Sequence, residues 1–236
     1  SYPMNAATEI KAYPDGAYLI SGQKEVVMVD RANHTRFKFT GNDLFSTERL
    51  PNGNFLVNDN STSSLIELSP TGQEIARTST TIKNSTVNKH HHALHIQHLD
   101  NGDRWVAHRD HNLARKYNRD GKILRTLAMP CSVTSVRELA NGNVLVAGGK
   151  PARLSEFDPN GSEIWSLTAK DVPSAKLMTI CGFQRLPNGN TILTNWTGHN
   201  FKGKYLPIIE VNPNKKIVWS FSDITLTPEP ISIQTL

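Results

Sequence analysis

The sequence is poor in the features that mark most alternatives to a turn-rich folded chain. It has two cysteines, Cys131 and Cys181, fifty positions apart and in no CxxC arrangement, which excludes a cysteine-built zinc module and leaves a free pair or a single bridge. No apolar run reaches the 18 residues of a helical membrane span, so none is expected. The chain opens on SYPMNAA, without a basic region and apolar core, so any signal peptide is expected to have been removed or never present. There is no run of five basic residues, although the net charge is +5 and the pI about 9.2. Scattered Lys and Arg point to a modest preference for anionic ligands and away from nucleic acid as a partner. Apolar stripes at three-to-four spacing are absent, which excludes a helical solenoid.

What is present is a repeat. TEIKAYPDGAYLISG, STERLPNGNFLVND, HIQHLDNGDRWVAH, TSVRELANGNVLVAGG and GFQRLPNGNTILTN share one grammar, a short run ending in Asn-Gly or Asp-Gly and then a second apolar run. These dipeptides supply the positive φ angles of tight hairpin turns. The turn glycines Gly16, Gly53, Gly102, Gly142 and Gly189 are spaced by 37, 49, 40 and 47. A second hairpin follows each first one, as in SLIELSPTGQEIART and RLSEFDPNGSEIWSL. Four strands per unit, without helical periodicity, predict an all-β fold, a single β-propeller domain over 1–236 with five four-stranded blades, or six if the tail ISIQTL belongs to a further blade. That tail reads as one more first strand, closing the ring against the N-terminal blade.

The unit xLPNGNxLV…IxEhxPxGxxhW, where h is apolar, resembles the quinoprotein-like propeller repeat, especially the variant of bacterial arylsulfotransferases and secreted propellers, over nearly the whole chain. The resemblance implies a secreted or periplasmic protein. In the arylsulfotransferases a central histidine carries the sulfuryl group among further His, Arg, Asn and Lys. This chain is about half their length, lacks their extra N-terminal β-domain, and aligns no one histidine with theirs. Pyrroloquinoline quinone is not an expected cofactor, because the dehydrogenases that bind it are eight-bladed, with a calcium site and adjacent cysteines.

Seven of the nine histidines lie within NKHHHALHIQHLDNGDRWVAHRDH, residues 88–111. In a four-stranded blade the A–B and C–D turns lie on one face and the B–C and D–A connections on the other. The tight Gly turns fall in the first class, and the long polar connections in the second. Register alone therefore puts His90, His91, His92, His108, Arg109, Asp110, His111, Lys150, Arg153, Lys170, Asp171, Trp196, His199 and Lys202 on one face. Long polar loops on a rigid scaffold are where binding and catalysis concentrate. His95 and His98 lie inside a strand on opposite faces, so at least one is expected to be a packing residue, and His34 is expected on the opposite surface. Trp105, Trp165 and Trp219 read as blade packing.

Imidazoles with Arg and Lys suit an anionic small molecule or saccharide, the cations stabilising charge while a ring moves a proton. His92, His108, Arg109 and His111 are the expected catalytic residues, with His91, Arg153, Asp171, Trp196, His199 and Lys202 as ligand contacts. Lyase chemistry needs a base and a cation, as His92 and Arg109 could supply; hydrolysis would fall to Asp110 and Asp171. A divalent metal held by histidines is a second possibility, although three successive histidines cannot all face one ion without strain. The alternative is a non-catalytic scaffold for a ligand or a protein.

Overall fold

The computed structural model describes residues 4, 7–83, 85–86, 90, 92–198, 203–223, 225 and 230–235. They form five four-stranded antiparallel sheets, the blades of a β-propeller, and in every sheet the strands follow chain order. Blade 1 is β1 (Ala7–Ala12), β2 (Tyr18–Gly22), β3 (Glu25–Val29) and β4 (Thr35–Thr40); blade 2 is β5 (Leu44–Arg49), β6 (Phe55–Asp59), β7 (Ser64–Leu68) and β8 (Glu74–Ser79). Blade 3 is β9 (His95–His98), β10 (Arg104–His108), β11 (Leu113–Tyr117) and β12 (Ile123–Ala128). Blade 4 is β13 (Ser132–Glu138), β14 (Val144–Gly149), β15 (Arg153–Phe157) and β16 (Glu163–Thr168), and blade 5 is β17 (Ile180–Arg185), β18 (Thr191–Asn195), β19 (Ile208–Val211) and β20 (Ile217–Phe221). The chain divides into two compact units, residues 1–127 and 128–235.

The Asn-Gly and Asp-Gly turns behave as their residues require. Gly53, Gly102, Gly142 and Gly189 sit at φ between 82° and 87°, a region closed to most side chains. The following Asn ties the hairpin to the third strand: Asn54, Asn143 and Asn190 donate to Glu67, Glu156 and Glu210 at 2.7, 2.7 and 2.6 Å. In blade 3 the pair is replaced by Asp103 and Lys116, 3.5 Å apart. The Glu of the repeat is therefore a structural lock.

The second and third strands are buried on both faces, which is why β6 and β7 carry no exposed residue. In the first unit, Leu50, Leu56 and Leu65 of blade 2 pack with Ala93, Ile96, Val106 and Tyr117 of blade 3. In the second, Leu145, Leu154 and Leu167 pack with Ile180, Leu193 and Ile209. Trp105 is fully buried, as its strand position implies. Trp165 donates its indole N–H to the Pro213 carbonyl at 2.9 Å and packs on the cluster containing Val211 and Ile217. Trp219, at the matching place in blade 5, gains no such cover and is 48% exposed, so the expectation that it packs is corrected. Cys131 and Cys181 are not joined in a disulfide.

The tail also differs from expectation. Residues 231–235 form no strand of any sheet. They lie along β17, where a Cβ on Gly182 would stand 2.9 Å from the Ile233 nitrogen and the Ser232 Cα, and Thr235 N–H donates to Gln184 at 2.8 Å. Gly182 is the small residue that lets this segment approach.

Candidate functional site

In blades 1, 2, 4 and 5 the ladder between first and second strands includes the sixth residue after the turn glycine, pairing Ala7 with Gly22, Leu44 with Asp59, Val133 with Gly148 and Ile180 with Asn195. In blade 3 it stops at His95 opposite Ala107. His108, at the matching place, pairs only with Leu113 of β11. Directly opposed residues share a face, so His108, Val106 and Arg104 lie beside Leu113, Arg115 and Tyr117, against blade 2.

His92 comes to this place from the connection between β8 and β9. Two buried asparagines of blade 2 hold that connection by its backbone. Asn60 donates to the Ala93 and His90 carbonyls at 2.8 and 3.1 Å and accepts from Ala93 N–H at 3.1 Å, while Asn58 donates to the Ala93 carbonyl at 2.9 Å. His111 is returned by the tight turn after β10. There Asn112 N–H donates to the Arg109 carbonyl at 3.1 Å, and Asn112 takes φ 55°, a left-handed conformation that asparagine tolerates.

The three rings meet nearly at right angles. Their centroids are 5.0 Å apart for His92 and His108, 5.3 Å for His92 and His111, and 6.0 Å for His108 and His111, with interplanar angles of 80–89°. One ring nitrogen from each lies within 4.8 Å of the other two. His92 and His108 are buried, at 5% and 0% exposure, and His111 is half-buried. Each Nε2 has a fixed partner: the Thr80 carbonyl for His92 at 2.9 Å, Tyr117 Oη for His108 at 2.9 Å, and Ser85 Oγ for His111 at 2.6 Å. A carbonyl only accepts, so His92 Nε2 carries a proton. The Nδ1 atoms of His108 and His111 are buried without a hydrogen-bond partner.

Burial, then the neighbouring His92, Arg115 and His111, holds His108 well below the ordinary histidine pKa, opposed by a polar contact with the His92 backbone. His111 is lowered by burial, His92 and Arg115, with Asp110 opposing. Both rings are therefore neutral at pH 7. Burial raises the Tyr117 phenol, against the hydrogen bond and charge of Arg115. Arg115 is thus the cation that acts on two rings, and its own Nε is buried without a partner.

Of the residues picked from sequence, His92, His108 and His111 come together. Arg109 instead faces Asp110 at 3.6 Å. Arg153 is engaged by Glu163 and by Ser155 at 2.9 Å. Asp171 accepts from Thr168 N–H and Oγ1 at 2.8 and 2.7 Å and pairs with Lys215 at 3.2 Å. Trp196 is half-buried and donates its backbone N–H to the Thr179 carbonyl at 2.8 Å. His91, His199 and Lys202 lie outside the described residues. Arg115, Tyr117, Thr80, Ser85, Asn58 and Asn60 escaped the sequence reading. The first two sit inside a strand, and the others act through backbone or through generic hydroxyl and amide groups.

The remaining strand histidines have other duties. His95 lies 3.6 Å from Glu9, which also receives Lys11 at 3.1 Å and Ser46 Oγ at 2.7 Å, while Lys11 reaches Glu48 at 3.0 Å. Burial pushes the Glu9 carboxyl up, but Lys11, His95 and Ser46 outweigh it and hold it below the ordinary value. His98, opposite Arg104, is lowered by burial and by that charge. His34 is exposed, 3.3 Å from Asp30.

No family model and no curated protein matches the sequence. Solved structures do match its fold. A Bacteroides caccae protein of unknown function has a TM-score of 0.83 at 21% identity, covering 98% of this chain and 88% of its own. A streptogramin B lyase gives 0.70 at 14% identity over 98% and 74%, and a virginiamycin B lyase from Staphylococcus aureus gives 0.69 at 12% over 96% and 73%. Identities this low carry the propeller fold alone. No helix among the described residues is long and apolar enough to cross a membrane.

Proposed function

We propose that the blade 3 end of this propeller binds an anionic small molecule or saccharide at His92, His108 and His111, with Arg115 as the principal cation. The observation that carries the reading is the gathering of unanswered donors and acceptors. His108 Nδ1, His111 Nδ1 and Arg115 Nε are buried without partners, and each such group costs about 1–3 kcal/mol unless something meets it. A carboxylate or sulfate oxygen against the guanidinium would meet one of them directly. A water-poor pocket with a fixed positive charge also stabilises negative charge that grows in a reaction, the demand shared by elimination beside a carboxylate and by sulfuryl transfer. Lyase or group-transfer chemistry is the reading that follows. The repeat's resemblance to arylsulfotransferases and the lyase activity named for two structural neighbours support it.

Arg115 displaces Arg109 as the expected anion contact, because Arg109 already faces Asp110. A charge-assisted hydrogen bond is worth about 1.5–3 kcal/mol, so Arg115→Met is expected to weaken binding by about 10- to 100-fold. Calorimetric titration with glucuronate-containing and sulfated saccharides measures it. Equal affinity in both proteins, or no binding to the wild type, would remove the reading.

A further inference from the structure

We infer that His92, His108 and His111 are the protein ligands of one divalent transition-metal ion, with zinc the best match to an all-imidazole donor set. The inference deepens the anion reading, and it rests on that reading's premise that these three rings face a ligand.

Three features of the geometry point the same way. First, the donor nitrogens lie within 4.8 Å of one another. Nitrogens bound at about 2.0–2.1 Å around a tetrahedral ion stand roughly 3.4 Å apart, so closure asks about an ångström or less of each ring. Second, the Nε2 of every ring is already held, by Thr80, Tyr117 and Ser85. Metal-bound histidines are characteristically fixed in this way, the outer partner setting ring orientation and tautomer. Third, the Nδ1 atoms of His108 and His111 are buried without a hydrogen-bond partner. Packing histidines would have no reason to keep a ring nitrogen unused in a site with so many polar neighbours, whereas an ion bound in the tautomer with Nδ1 unprotonated uses it.

The rings also come from three separate segments, and only His92 belongs to the His-His-His run. Convergence therefore needs no strain in that run, which was the objection from sequence. With three neutral protein ligands the ion keeps its full charge and an open position. Arg115, acting on the same rings, adds further positive charge. The fourth ligand is accordingly an oxygen anion, the class proposed above.

The test uses the full chain stripped with chelator and then titrated with Zn²⁺ and Co²⁺ alone. One equivalent is expected to bind, to raise the melting temperature, and, for Co²⁺, to give the visible bands of a low-coordinate nitrogen site. His111→Ala, at a half-buried position in the turn after β10, is expected to leave the blade folded and to lose at least 100-fold in affinity. Tyr117→Phe, which removes the outer partner of His108 and with it the Arg115 hydrogen bond to the phenol, is expected to lose about 10-fold. No stoichiometric binding, or binding that His111→Ala leaves intact, overturns the inference. Titrating the metal-free and zinc-loaded proteins with glucuronate separates the two readings. Anion binding to a protein that takes no metal sinks the metal and keeps the anion site; a tight metal with no anion binding does the reverse.

Discussion

The sixth residue after the turn glycine, at or beside the end of the second strand, is Gly22, Asp59, His108, Gly148 and Asn195 in the five blades, and comparing the last with His108 bears on the candidate site. In blade 5 the occupant is Asn195, buried, whose side chain donates to the carbonyls of Ala175, Lys176 and Leu206 at 3.3, 3.2 and 3.2 Å and accepts from Met178 N–H at 2.9 Å. In blade 3 it is His108, equally buried, with one hydrogen bond to Tyr117 and one nitrogen left over. Asn195 is saturated by its own loops and serves as their fastener. His108 is not: its Nδ1 is buried without a hydrogen-bond partner. Asp59 in blade 2 follows Asn195, accepting from Ser61 and Thr62. Gly148 in blade 4 goes further and has no side chain, because the Ser132 carbonyl occupies the space.

Three substitutions sharpen that comparison. The largest effect is expected from Gly148→Ala. Its Cβ would stand 1.9 Å from the Ser132 carbonyl oxygen, a backbone atom of the paired strand, so β13 must move, at about 4 kcal/mol. Next comes Asn195→Ala, which strands three carbonyls and an N–H and should lower urea-derived stability by about 3 kcal/mol. His108→Asn comes last. It places the blade 5 residue in blade 3, and the metal-free protein should lose no more than about 1 kcal/mol, because the unpartnered nitrogen goes with the ring. Zinc affinity should collapse in the same variant. Equal destabilisation at 195 and 108 would break the comparison and make His108 a fastener too.

Much of the fold was legible because the repeat punishes deviation. A hairpin turn at positive φ calls for Gly, and the Asn after it must reach a Glu on the third strand, so both recur visibly. The site was legible only in part. His92, His108 and His111 stand out because imidazoles are rare and these lie at strand ends and in connections. Arg115 did not stand out. Its strand, LARKY, looks like an ordinary third strand, and only the pairing of Val106 with Arg115 shows which face it takes. Asn58 and Asn60 read as a generic polar loop, because their work is to hold the backbone at Ala93, 35 and 33 residues away. Arg153 and Asp171 also stood out in the sequence, and the fold adds what the sequence did not carry, their ion pairs with Glu163 and Lys215.

The most direct test of the central claim is the nitrogen-15 spectrum of the histidine rings, recorded on the chelated protein and again after one equivalent of Zn²⁺. The account predicts that the Nδ1 signals of His92, His108 and His111 move together and that exposed His34 stays where it was. Three unmoved signals, or a shift confined to surface rings, would contradict it.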